Sequence, residues 1–483
     1  MTRSTTPSFI LTLRLNTQKY QEDILNKRFN IGRMIYNACL SRLYRNCKLM
    51  KESKAYIKTC KMPKGEERNN RFAELREKYN LTITYIDDYV SPMQKKFKKN
   101  IDSHTAQKLA ERALDAVNKL IYGKAKKIHF KKYGEEISLE SKTNKSGIKY
   151  RDGYIKWNDL EIPVTIKPND KYAQLAIQSR VKYCRIFRQY VKNRYKYYVQ
   201  LILEGIPPLK ERKIGKGDVG LDSGTQTESI VSDNEVKLVE LAPEIDSIDR
   251  EIIRLQRKLE RSRRMNNPEN YNSDGTVKKR TKGKWEKSKN YIKNQNKLKD
   301  RYRKRVAVKR QSLERLANYI ISLGNKIKVE DMNYDALSKR AKETTKNRKT
   351  KRFNKKRRFG KSIGTKSPGM LLNITDRKLH YFGEELIKVD KTKVKASQYN
   401  HITDTYDKKD LSDRWNCFNY NGKEIKVQRD LYSAYLLQNT EDNKIDRSKC
   451  IEKFDNFLKL HDKEIKRLKK LKETKQLLGS MGV

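Results

Sequence analysis

Val219-Gly220-Leu221-Asp222-Ser223-Gly224, followed by Thr225-Gln226-Thr227-Glu228-Ser229-Ile230-Val231-Ser232-Asp233 and Val236-Lys237-Leu238-Val239, is the stretch around which the chain is organised. It reads as a hairpin. A short apolar strand carries one acid, Asp222, near its end; Gly224 eases the turn, and a second strand starts near Ser229. Neighbouring strands hold such an acid in place, so it can bind a metal ion. Gly-x-Asp-x-Gly is common by chance, and Asp222 counts only alongside other acids in similar settings. Two follow. Glu330 ends the apolar run Ile327-Lys328-Val329, and Asp430 opens the helix-like run Leu431-Tyr432-Ser433-Ala434-Tyr435-Leu436-Leu437. Each has a plain alternative: a turn former for Asp222, a surface Glu-Asp pair for Glu330, a helix N-cap for Asp430. Together, at two strand ends and a helix start, they can converge on one site.

The chain has 483 residues, enough for several domains, with 36% apolar and 36% charged residues and a net charge of +54. Such an excess of Lys and Arg calls for a polyanion. Nucleic acid leads, because neutralised phosphates release counterions and give strong, salt-sensitive binding. A membrane surface is the weaker candidate, since no lipidation motif or basic amphipathic anchor stands out. The 28 Tyr, spread among basic residues, include rings suited to stacking on bases and others destined for the core. No apolar run approaches the roughly 20 residues that span a bilayer, and residues 1–15 lack a signal-peptide core. A cytoplasmic protein is expected. Cys39, Cys47, Cys60, Cys184, Cys417 and Cys450 are scattered, and read as reduced and mostly buried thiols.

The expected architecture is α+β and multidomain. Phe9, Leu11, Leu13 and Leu15 alternate as on a strand, and helical spacing runs from residue 18 to about 122. Short strands follow at 127–130, 147–150, 154–157 and 162–166, then a hairpin of 177–188 with 195–203. Closely spaced strands suggest a small barrel that the first strand completes, leaving the helices as an insertion. A linker follows at 206–209. Beyond the Asp222 hairpin, Ile248, Ile252, Leu255 and Leu259 make one apolar stripe, and Tyr302, Val306, Leu313, Leu316 and Ile320 another. They predict a basic helical pair lying along a nucleic-acid backbone, joined by a polar loop over 265–283. Residues 339–361 are nearly pure positive charge, with Glu343 the one acid, and are expected to be mobile or to order on nucleic acid. The candidate contacts are Lys351, Arg352, Lys355, Lys356, Arg357 and Arg358. Residues 376–386 look helical, 388–395 look like a strand, 396–429 look irregular, and a basic terminal helix spans 451–478.

Cutting a phosphodiester needs an attacking water, charge relief on the phosphate and a stabilised leaving oxygen; two divalent ions roughly 4 Å apart supply all three. Mg²⁺ prefers oxygen ligands, few of them from the protein. Asp222, Glu330 and Asp430 meet that need. The chain has no His-Glu-x-x-His, no Gly-x-x-x-x-Gly-Lys-Ser/Thr, no Cys/His zinc set and no nucleophilic Ser elbow.

The order strand-Asp222, basic helical hairpin, Glu330 in Val-Glu-Asp-Met-Asn (329–333), then Arg429-Asp430-Leu431-Tyr432-Ser433-Ala434 resembles the RuvC-like nuclease domain. In detail it is similar to the transposon-encoded TnpB proteins and the compact type V CRISPR effectors. The strand at 9–15 and Asn37-Ala38 on the first helix also resemble their N-terminal pattern. The resemblance implies a wedge β-barrel (1–17 and 126–210) with an inserted helical recognition lobe (18–125). An RNase H-like (RuvC) α/β nuclease domain (211–395 and 430–483) with a helical insertion (245–322) would follow. It also implies an RNA-guided DNA endonuclease with Asp222, Glu330 and Asp430 as the Mg²⁺-binding triad (Mn²⁺ able to substitute). The implied partners are a guide RNA and a double-stranded DNA target bearing a short flanking motif; monomer and homodimer stay open. One departure stands out. A four-Cys zinc finger is usual near Ser397-Gln398, but Asn400, Thr403 and Tyr420 occupy three of its positions and Cys417 the other. Structural zinc is therefore not expected. The segment 396–429 would be a degenerate target-nucleic-acid-binding element held by Trp415, Phe418 and Tyr420. Two alternatives remain: a nuclease-silent RNA-guided DNA-binding protein, and an RNase H-like transposase or resolvase.

Overall fold

In a computed structural model the chain divides into two compact units, Met1–Lys210 and Glu211–Val483. The residues described are 6–135, 137–191, 194–208, 214–278, 285–340, 343–347, 354, 359–407, 410, 413–474 and 481–483.

The first unit begins with β1 (Ser8–Leu15), whose alternate residues Phe9, Leu11, Leu13 and Leu15 are buried. The helices α1 (Lys19–Glu52), α2 (Lys54–Lys61), α3 (Glu66–Lys78), α4 (Ile83–Lys96) and α5 (Ser103–Ile121) follow. Then come β2 (Leu139–Glu140), β3 (Lys149–Arg151), β4 (Tyr154–Trp157), β5 (Leu160–Thr165), α6 (Lys171–Ala176), β6 (Val181–Val191) and β7 (Arg194–Glu204). The strands form an antiparallel curled sheet in the order β2-β6-β7-β1-β5-β4-β3. β1 lies inside it, between β7 and β5, so the helices are an excursion from the sheet. Among the described residues no ladder joins β2 to β3, so hydrogen bonding does not close the expected barrel. The helices and the sheet share one core. At its edge Arg28 lies 4.4 Å over the Trp157 ring and donates to the Trp157 carbonyl at 2.9 Å, while Trp157 Nε1 donates to Asp102 at 2.8 Å. Residues 127–130 and 177–180 are not strand, contrary to expectation, and α6 was not anticipated. Just beyond 127–130, Asn37 of α1 clamps Lys131, accepting from its N–H at 2.9 Å and donating to its carbonyl at 2.8 Å.

The second unit opens with the hairpin strands β8 (Asp218–Ser223), β9 (Thr227–Ser232) and β10 (Val236–Glu240). The long helices α7 (Asp246–Asn266) and α8 (Lys289–Leu323) follow, then β11 (Lys326–Glu330), α9 (Tyr334–Ser338), α10 (Gly360–Lys366), α11 (Pro368–His380), β12 (Ile387–Val389) and α12 (Lys391–Val394). Last come β13 (Tyr399–Asn400), β14 (Thr405–Tyr406), β15 (Trp415–Tyr420), β16 (Lys423–Gln428), α13 (Arg429–Gln438), β17 (Thr440–Glu441), β18 (Lys444–Ile445) and α14 (Arg447–Glu473). The main sheet runs β10-β9-β8-β11-β12; β9 is antiparallel to both neighbours, and β8, β11 and β12 are parallel. Because strand side chains alternate, its faces build separate cores. Val219, Leu221, Ile230, Ile327 and Val329 pack on α8 and α11; Val231, Leu238 and Val389 pack with α13 and α14.

Several expectations need correction here. Only the C-terminal half of α8 reaches the sheet, through Leu313, Ala317, Ile320 and Ile321; Tyr302 and Val306 lie beyond it and are exposed. The helix anticipated at 376–386 ends at His380 and begins earlier, at Pro368, which is well placed in a first turn. The strand anticipated at 388–395 is limited to β12, because Asp390 caps α12 through the Thr392 N–H. The segment 396–429 is two small hairpins rather than irregular. Phe418 is buried against Tyr432, with ring centroids 4.9 Å apart, Tyr420 meets Phe454 at 5.0 Å, and Trp415 meets His461 at 6.4 Å. Cys417 is exposed there. Lys351, Arg352, Lys355, Lys356, Arg357 and Arg358 lie outside the described residues. No helix among the described residues is long and apolar enough to cross a membrane.

Candidate active site

The site begins with a close approach of backbones. A Cβ on Gly220 would lie 1.9 Å from the Ala434 carbonyl oxygen and 2.5 Å from the Gln438 nitrogen, so helix α13 rests directly on strand β8. The rest follows from two periodicities. On β8, Asp222 is two residues beyond Gly220 and shares its face; on α13, Asp430 is one turn before Ala434 and shares its side. The C-terminal half of α13 covers Gly220, so its N-terminal turn lies toward Asp222. Strand β11 runs parallel to β8 with Lys328 beside Gly220 and Val329 beside Leu221. The next residue, Glu330, continues that register level with Asp222. The three acids proposed from sequence thus come to one face, at the C-terminal ends of two parallel strands and the first turn of a helix. All three are half-buried.

Both ends of α13 are pinned. Gln428, fully buried, is the N-cap: its side chain accepts from the Leu431 N–H at 2.8 Å and donates to Asp430 Oδ2 at 3.4 Å. Its own N–H donates to His461 Nε2 at 3.1 Å. Asp430 is therefore not the cap but sits in the first turn, where a negative charge suits the helix dipole. At the other end Lys328, buried on the same strand face as Glu330, donates to the Gln438 carbonyl at 2.9 Å and pairs with Asp218 at 2.8 Å. A lysine inside the run Ile327-Lys328-Val329 was the visible signal for this contact.

The carboxylates feel one another. Burial pushes the pKa of Asp222 well above the ordinary carboxylate range; Asp430, Glu330 and Glu228 push it the same way, and Arg429 opposes them. Burial also raises Glu330, with Lys391 opposing. Asp430 is turned toward cations: Arg429 Nε lies 3.4 Å from Oδ1 and Arg414 Nη1 3.8 Å from Oδ2. Among the described residues no three acidic, His or Cys side chains are drawn tightly enough together to chelate an ion. The donor set nevertheless suits a hard cation: every acid offers oxygen, and Ser229, opposite Asp222 in the β8–β9 ladder, has a buried hydroxyl with no partner. Asp222, Glu330 and Asp430 are the residues that would hold Mg²⁺.

Sequence reasoning missed Glu228. It is fully buried on β9, accepts from Ser223 Oγ at 2.6 Å through Oε1, and has no partner at Oε2. Burial raises its pKa to about 8, and the Ser223 hydrogen bond opposes the shift. Burial raises Tyr334 too, reinforced by Glu228; its hydroxyl donates to the Ser223 carbonyl at 3.3 Å. A carboxyl raised on folding favours the native state only while it stays protonated. Its contribution is present below the unfolded value of 4.5 and is lost as pH rises through about 8. At about 1.36 kcal/mol per unit, the ceiling is on the order of 5 kcal/mol. Glu228→Gln should therefore flatten the decline in unfolding midpoint between pH 5 and pH 8. Parallel pH profiles for the two proteins would show that Glu228 is not the group responsible.

No family model matches the sequence, and no curated protein matches it. Among solved structures the chain is similar to a Cas12f1–sgRNA–target DNA complex, at 12% identity over 89% of this chain and 98% of that one, with a TM-score of 0.43. A CRISPR–Cas12f ternary complex aligns at 12% identity over 88% and 86%, with a TM-score of 0.25. A Cas12i1 R-loop complex before target DNA cleavage aligns at 10% identity over 79% and 57%, with a TM-score of 0.23.

Proposed function

We propose that this chain is an RNA-guided DNA endonuclease that hydrolyses phosphodiester bonds at Asp222, Glu330 and Asp430. The observation that carries the reading is the meeting of these acids on one face of the main sheet. The sheet's order is third-second-first-fourth-fifth, with only the second strand reversed, and this order supports reading the second unit as an RNase H-like (RuvC) domain. Guide dependence rests on the resemblance of the acidic motifs to TnpB and compact type V effectors and on the charge of +54. The curled sheet of the first unit would be the wedge, its helices the recognition lobe, and 396–429 a target-binding segment without zinc. A guide RNA and a DNA duplex with a short flanking motif would be the partners.

Two bound Mg²⁺ ions would supply an activated water and charge relief at the phosphate. The chain's own contribution is placement. Gln428 and the Gly220–Ala434 contact hold Asp430 to the sheet, and the β8–β11 ladder keeps Glu330 level with Asp222. Arg429 and Arg414 put positive charge beside Asp430, where a scissile phosphate would lie.

The test is to purify the protein with its native locus, sequence the co-purifying RNA, and challenge the complex with matched DNA in Mg²⁺. A discrete RNA with a fixed scaffold and a variable end, together with cutting of the matched duplex, is expected. Guided binding without cutting in Mg²⁺ or Mn²⁺ would make it a nuclease-silent targeting protein. Strand joining would make it a transposase or resolvase, and random cellular RNA would overturn guide dependence.

A further inference from the structure

Asp430 is fixed differently from its two companions. Asp222 and Glu330 stand on paired strands, whose ladders set their positions. Asp430 stands in the first turn of α13 and depends on what holds that turn. Residues 481–483 lie against it. Met481 is buried in the core that α13 and α14 share, and Val483 packs at its margin. Two contacts run from this tripeptide toward the acid. The Met481 carbonyl accepts from Gln428 Nε2 at 3.2 Å. Gly482, at φ +68°, lies against Arg414: a Cβ there would be 2.5 Å from Arg414 Cγ and 2.8 Å from its Cβ and Cδ.

Both residues so touched reach Asp430. Arg414 Nη1 lies 3.8 Å from Asp430 Oδ2, and the Arg414 carbonyl accepts from the Arg429 N–H at 2.9 Å. Gln428 is the cap of α13. A primary amide has one oxygen and two N–H hydrogens to satisfy. Here Oε1 accepts from the Leu431 N–H at 2.8 Å, while Nε2 serves the Met481 carbonyl at 3.2 Å and Asp430 Oδ2 at 3.4 Å. The approach to Asp430 is long for a hydrogen bond, so the Met481 carbonyl is the firmer anchor of the nitrogen. Gln428 is fully buried, and a buried hydrogen robbed of its acceptor is costly to leave unpaired. With Met481 in place the amide has one satisfied orientation, and in it the nitrogen faces Asp430.

We propose that residues 481–483 are a positioning strut for Asp430, acting through Gln428 and Arg414. Met481 sets the orientation of the capping amide, and Gly482 sets the lie of the Arg414 side chain; together they hold the acid's Oδ2 between an amide nitrogen and a guanidinium. The functional half of this rests on the assignment of Asp430 to the metal site. The structural half, the hold on the first turn of α13, does not. Residues that orient a metal-holding side chain typically contribute about 10–100-fold to metal affinity or activity.

The experiment compares the full chain with a variant lacking residues 481–483 and with Gly482→Ala. The second keeps the chain intact but sets an alanine at positive φ against Arg414, and it carries the same measurements where the deletion does not fold. Amide hydrogen exchange is followed by mass spectrometry across α13, and Mg²⁺ is titrated by thermal melt. Exchange should quicken around Leu431 in the first turn and stay slow around Gln438, where Lys328 holds the helix. The Mg²⁺ midpoint should rise by about 10–100-fold, and guided cutting at limiting Mg²⁺ should fall by a similar factor with target binding unchanged. Gln428→Ala should act like the deletion, and the two combined should do little more than either, because both work through one residue. Effects that multiply independently would overturn the route through Gln428. Guided cutting with exchange and Mg²⁺ midpoint at wild-type values in both folded variants would overturn the strut and leave the nuclease reading standing. Faster first-turn exchange in a protein that neither responds to Mg²⁺ nor cuts DNA would keep the hold on α13 and remove Asp430 from a metal site.

Discussion

Asp222→Asn should lower guided DNA cleavage by about 10²–10³-fold while leaving binding of the guide and target in place. A metal-held carboxylate at the reacting phosphate contributes several kcal/mol of charge stabilisation, and each 1.36 kcal/mol is tenfold in rate. Asp222 lies level with Glu330 and on the face reached by Asp430, so its loss would remove a central ligand of the proposed metal site. The same substitution has an opposite effect on stability. Asp222 is held against burial and neighbouring acids, so Asn should raise the melting temperature in metal-free buffer at neutral pH. Added Mg²⁺ should stabilise the wild type, because a ligand bound only by the native state raises its stability, and should do little for the variant. These melts report on the site without any cleavage assay. A variant that cut matched DNA at the wild-type rate would place the chemistry elsewhere. A wild type whose melting temperature ignores Mg²⁺ would remove the metal from the assignment.

Gly220→Ala should be the most damaging glycine-to-alanine change among the described residues of the second unit. The added carbon would sit 1.9 Å from the Ala434 carbonyl oxygen, which is backbone and cannot swing aside. Overpacking of this kind costs about 1–3 kcal/mol or more. Relief requires α13 to lift from the sheet, carrying Asp430 away from Asp222. Cleavage should therefore fall even under conditions where the variant is fully folded, which separates this effect from simple instability. Gly364→Ala is the control. It lies in helix α10 with nothing within 4 Å of the new carbon, and alanine there should stabilise by up to about 1 kcal/mol. Urea melts of the two variants decide the matter. If Gly220→Ala unfolds at the wild-type midpoint, the contact between β8 and α13 is looser than described.

Both predictions depend on one helix lying flat on one strand, and this is where the sequence was least explicit. The motif Gly-Leu-Asp announces an acid near a strand end, but it does not say that its glycine is the seat of a helix more than 200 residues away. Gln428 reads as an ordinary polar residue before Arg429-Asp430; only packing shows it to be the cap that frees Asp430 from capping. Glu228 reads as a polar residue in a turn, yet the ladder buries it beside Ser223 with one oxygen unpartnered. The small hairpins of 396–429 were illegible for a related reason. Their stability comes from Phe418, Tyr420 and Trp415 meeting the aromatic side chains of α13 and α14, not from local spacing.

The amino-acid sequence alone determined what its local periodicities could carry. The alternation of β1 was legible, as were the helices following it, the strands around Asp222 and Glu330, the helix after Asp430 and the excess of positive charge that calls for nucleic acid. Each rests on spacing within a few residues, where the backbone's own geometry decides which side chains share a face. Tertiary structure alone decided the pairing of β8 with β11, the approach of α13 to Gly220 and the burial of Glu228. Those depend on residues far apart in the chain. Their physical reason is contact: a carboxylate's neighbours, and the backbone a glycine meets, exist only once the chain has folded.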